Sequence, residues 1–90
     1  MNDNPLRILI IDDSEQDALL IIRELEKDGG HPFYERVATA GAMKKALQEQ
    51  QWNMILCDSN LQKFDAPSAI AVLKEANIDV TLIIISGSVG

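Results

Sequence analysis

Three short runs of uninterrupted apolar residues, each stopping on an acid or a hydroxyl, constrain this chain most. Arg7–Ile11 (RILII) stops at Asp12-Asp13, residues 54–57 (MILC) stop at Asp58, and residues 80–85 (VTLIII) stop at Ser86-Gly87. Continuous runs of this length read as strands buried on both faces, as in a parallel sheet. Residues 34–37, of mixed polarity, read as a fourth and weaker strand that suits an edge.

Helical spacing fills the gaps. Ser14-Glu15-Gln16-Asp17 has capping-box spacing ahead of Ala18, Leu19, Ile22 and Leu25, and Gly29-Gly30 stops that helix. Thr39 is the cap expected for a second helix, with Ala42, Met43, Ala46 and Leu47 inward. Asp65 is the cap expected for a third, with Pro67 in its first turn and Ala69, Ile70 and Leu73 inward. Strand and helix thus alternate three times before the last strand. That order implies right-handed crossovers and a parallel sheet. The weak second strand belongs beside the first, and the apolar third strand on the first strand's other side, giving the order 2-1-3-4. The first helix then covers one face and the next two cover the other. Ligands of such sheets bind at the carboxyl ends of the strands, where the winding reverses.

The chain has 90 residues, 47% of them hydrophobic and 24% charged, which suits one folded domain over residues 1–90. Eight basic against fourteen acidic residues leave a net charge of −6, a poor basis for binding nucleic acid. One cysteine excludes an intrachain disulfide. No run reaches membrane-spanning length, and the polar N-terminus is unlike a signal peptide, so a cytoplasmic location is expected.

The carboxyl ends carry the chemistry. Asp12 and Asp13 leave the first strand, Asp58 the adjacent third, and Ser86 the fourth. Any one of these residues is also a common cap or loop residue. Together they form a converging acidic site. Three carboxylates there repel one another, so they call for a cation or for a retained proton. Mg²⁺ is the natural cation for oxygen ligands that keep several waters.

At this point ILIIDDSEQD, MILCDSNLQKFDAPSAI and LIIISGSVG together resemble the receiver domain of two-component response regulators. The resemblance covers essentially the whole chain. It implies a flavodoxin-like, doubly wound α/β fold. It also implies that Asp58 accepts a phosphoryl group from a histidine kinase or phosphotransfer protein. Asp12 and Asp13 would hold Mg²⁺ with Asp58, Asn60 would add its backbone carbonyl, and Ser86 would be the switch hydroxyl. Such a module modifies itself and is not a turnover enzyme. Gln62 and Lys63 stand where the family usually has Pro and Gly. The family's domain continues with a helix, a strand bearing an invariant Lys, and a final helix. The resemblance therefore implies a chain incomplete at its C-terminus.

A competing expectation is a receiver scaffold that cannot be phosphorylated and serves as a dimerisation or interaction module. Residues 80–85 would form an uncharged edge beside a face lacking its helix. A homodimer or an exchange of elements through the fourth strand is accordingly expected. An acid-nucleophile phosphatase would need an acid where Asn60 stands. A dinucleotide site would need glycines where IDDSEQD stands. His31, Trp52 and Cys57 take bland readings: a loop residue, a packing anchor and a small core residue.

Overall fold

The computed structural model describes residues 6–27, 29–59 and 64–85. The expectations placed on Asn60, Gln62, Lys63 and Ser86 lie outside those residues.

The elements alternate as β1 (Arg7–Ile11), α1 (Glu15–Glu26), β2 (Phe33–Val37), α2 (Ala40–Glu49), β3 (Met54–Asp58), α3 (Ala66–Ala76) and β4 (Thr81–Ile85). All strand pairings are parallel, and the sheet order is β2-β1-β3-β4. β2, with its mixed burial, takes an edge as its sequence suggests. No helix of the described residues is long and apolar enough to cross a membrane.

Two separate apolar clusters record the reversal of winding. Ile8, Ile10 and Leu56 pack under Ala18 and Ile22 of α1. Leu9, Ile11, Val37, Ile55 and Cys57 pack with α2 and α3 on the opposite face. Residues of the central strands therefore alternate between two cores, and both must be apolar. Ile8, Leu9, Ile10 and Ile11 are all wholly buried.

Caps fix where the helices begin. Thr39 Oγ1 accepts from the Ala42 amide at 3.1 Å, and Asp65 Oδ1 from the Ser68 amide at 2.9 Å. At the C-terminus of α3, Asn77 adopts the left-handed conformation (φ 57°), which its short polar side chain tolerates. Trp52 is the expected anchor: it is buried, its Nε1 donates to the Ala46 carbonyl at 3.0 Å, and its ring stacks on Phe33.

The inward faces depart from expectation at four positions. Leu19 and Leu25 of α1 are exposed, because the row that meets the sheet under that helix is Ala18, Ile21 and Ile22. Ala42 is exposed while Met43, Ala46 and Leu47 are buried. In α3 the inward row is Ala69, Val72 and Leu73, which leaves Ile70 outside. An i, i+3, i+4 row is narrower than the apolar stripe that surrounds it, so flanking apolar residues turn outward.

Candidate acidic site at the strand ends

β1 and β3 pair with Ile11 opposite Cys57. The next rung sets Asp12 beside Asp58, and the alternation of side chains turns both toward α1. Asp12 is 1% exposed and Asp58 9%. A third carboxylate, that of Asp17 in the first turn of α1, completes the group. One oxygen from each of Asp12, Asp17 and Asp58 lies within 4.8 Å of the others.

The turn between β1 and α1 explains how Asp17 comes to be there. Ser14 caps α1, its Oγ accepting from the Asp17 amide at 3.2 Å. A full capping box would have the Asp17 carboxylate accept from the Ser14 amide in return. Instead that amide donates to Asp12 Oδ1 at 2.9 Å. The Asp17 side chain is thereby left to turn toward the other two acids. Capping-box spacing alone points to a structural use of Asp17, so sequence reasoning missed its place in the group. The signal was its position one helical turn after the strand-end acids.

Asp13 is exposed and is not in the close trio, although its charge reaches Asp12. Burial holds the Asp12 carboxyl above its usual range; the Ser14 amide opposes this, and Asp58, Asp17 and Asp13 add to it. The Cys57 thiol, behind Asp58 and wholly buried, is pushed up to about 11 by burial, with further contributions from Asp58, Asp12 and Asp65. It is an inert core thiol, as its sequence position suggests.

The donor set suits a hard divalent cation. It is made entirely of carboxylate oxygens, and all three residues line a groove. Oxygens around a six-coordinate Mg²⁺ at about 2.1 Å lie roughly 3–4 Å apart, so small carboxylate rotations would bring this trio to that spacing. Waters would fill the remaining positions.

A groove of about 790 Å³ runs from this trio along the α1 face of the sheet. Leu20, Ile21, Met54, Leu56, Ile83 and Ile85 line it. It follows from the topology, since one helix cannot cover four strands. Ile83 and Ile84 of β4 are 42% and 54% exposed.

Comparison with known proteins finds no matching family model, no similar curated protein and no similar solved structure.

Proposed function

We propose that this chain is a phosphoacceptor signalling module of the receiver type, with a flavodoxin-like fold, in which Asp58 takes a phosphoryl group from a phosphohistidine donor with the help of Mg²⁺. The donor would be a histidine kinase or a phosphotransfer protein. The observation that carries this reading is the pairing of buried Asp12 and Asp58 at the carboxyl ends of adjacent strands, where the winding of the sheet reverses. The motifs that resemble receiver domains coincide with these strand ends.

In this reading an Asp58 oxygen attacks phosphorus in line with the histidine nitrogen. The P–N bond breaks, the imidazole leaves with the electron pair and takes up a proton, and an aspartyl phosphate remains. Bound Mg²⁺ supplies charge neutralisation for the phosphoryl oxygens. Asp12 holds the cation side of the site, and Asp13 and Asp17 extend it from the turn and from α1. The Asn60 carbonyl and the Ser86 hydroxyl complete the proposed set. An acyl phosphate is labile, which suits a reversible signal that changes a partner-binding surface.

The test is incubation with acetyl phosphate and Mg²⁺, with the modified residue located by mass spectrometry. Label is expected on Asp58 and is lost entirely in Asp58→Asn. Modification at any other residue refutes the assignment. Titrating Mg²⁺ against the Asn variants of Asp12, Asp13 and Asp17 tests the cation set. A variant whose curve matches that of the unaltered chain removes its residue from the set.

A second reading, an interaction module that need not be phosphorylated, is favoured by the apolar groove between α1 and β3–β4. The same chain, unlabelled by acetyl phosphate yet associating through that groove, would support it.

A further inference from the structure

We propose that Arg36 is a positioning residue for the cation site, acting through the main chain of Asp12 rather than through its charge. The inference rests on the reading of the acidic trio as a divalent-cation site, and it adds a residue outside that trio.

Arg36 lies on the edge strand β2, opposite Ile10 of β1, and is half-buried. Its side chain therefore runs along the α1 face toward the strand ends. Its Nη1 donates to the Asp12 carbonyl oxygen at 3.0 Å. The register explains why that carbonyl needs a side chain. The Asp12 amide donates to the Val37 carbonyl at 3.0 Å, one more rung of the parallel ladder. The following rung would take the amide of Thr39, but Thr39 is the N-cap of α2 and the chain turns away there. The guanidinium supplies the donor that the ladder has run out of.

Asp12 is thus held by three bonds, two to β2 and one to the turn before α1. Its amide is tied to β2, its carbonyl to Arg36, and its Oδ1 to the Ser14 amide. With the peptide planes on both sides fixed, the remaining carboxylate oxygen has little freedom. Outer-shell partners that fix a ligand in this way typically contribute 10–100-fold to metal affinity.

Charge and positioning predict opposite signs. A nearby cation repels Mg²⁺, so if charge were its main effect, removing it would tighten binding. If Arg36 positions Asp12, removing it weakens binding. Arg36→Met keeps the apolar stem and loses the donor, whereas Arg36→Lys keeps a donor of similar reach. The experiment titrates Mg²⁺ into the full chain and both variants by calorimetry, and records the melting temperature of each in EDTA. The expected result is an affinity about tenfold or more weaker in Arg36→Met, substantial recovery in Arg36→Lys, and little change in metal-free melting. Unchanged or tighter binding by Arg36→Met overturns the inference. So does an affinity loss that follows the metal-free melting temperature in both variants, which marks a merely structural residue. No Mg²⁺ binding by the unaltered chain overturns the reading of the trio itself, and this inference with it.

Discussion

In EDTA at neutral pH, Asp12→Asn is expected to melt above the unaltered chain. Asp12 is held buried beside two other acids, with its carboxyl above the usual range. Asn keeps an Oδ1 that can accept from the Ser14 amide, so the turn survives while the cost of burying a charge, and its repulsion by Asp58, Asp17 and Asp13, goes. The pH dependence has a definite sign. A carboxyl whose folded pKa is raised binds its proton more tightly folded than unfolded. Its unfavourable contribution is therefore absent below its ordinary value of 3.8 and grows as pH rises through the raised value. The advantage of Asp12→Asn should accordingly shrink as pH falls toward 4. For a domain of this size each kcal/mol relieved is worth about 4–8 °C. If the trio holds Mg²⁺ as proposed, saturating Mg²⁺ is expected to reverse the order. At 100 times its dissociation constant a ligand adds about 2.7 kcal/mol to the state that binds it. The unaltered chain gains this and the variant does not. Equal melting temperatures in EDTA across this pH range would show that the three acids do not strain the fold.

The second large effect concerns self-association. Among the described residues β4 is an edge of the sheet, and its Ile83 and Ile84 are 42% and 54% exposed on opposite faces. Burying a large aliphatic side chain is worth roughly 1.5–3 kcal/mol. Several together rival the total stability of a small domain, on the order of 5 kcal/mol. The 90-residue chain is expected to sediment as a dimer or larger assembly at micromolar concentration. Ile83→Lys places a charge in the groove and should yield a monomer. Ile84→Lys charges the other face of the same edge. If the edges pair, both variants separate the copies; if the grooves pack, Ile83→Lys alone does. A folded monomer of the unaltered chain at these concentrations contradicts the expectation.

The layering was legible because three of the four strands are nearly continuous apolar runs, and such runs have few alternatives to a doubly covered sheet; β2, of mixed polarity, was legible only as an edge. Asp12 and Asp58 were legible for the same reason, as the first acids after those runs. Helix phase was less so. Ile70 and Val72 are equally apolar, and which of them turns inward depends on how α3 sits on the sheet, which periodicity does not encode. Asp17 was hidden by a motif that it half fulfils. Arg36 was hidden more deeply, because it serves a main-chain carbonyl, and every residue has one of those. The roles proposed for Asn60 and Ser86 rest on sequence alone.

The placement of Trp52 gives the protein a built-in optical reporter with a blind spot. It is the only tryptophan in the chain, and it is buried at the amino end of β3 against Phe33. Asp58 ends the same strand, roughly 20 Å away at about 3.3 Å per residue. Fluorescence from this indole should therefore register loss of the fold and stay silent when a cation settles at the far end. A spectral change on adding Mg²⁺ at constant temperature would mean that β3 transmits the event along its whole length.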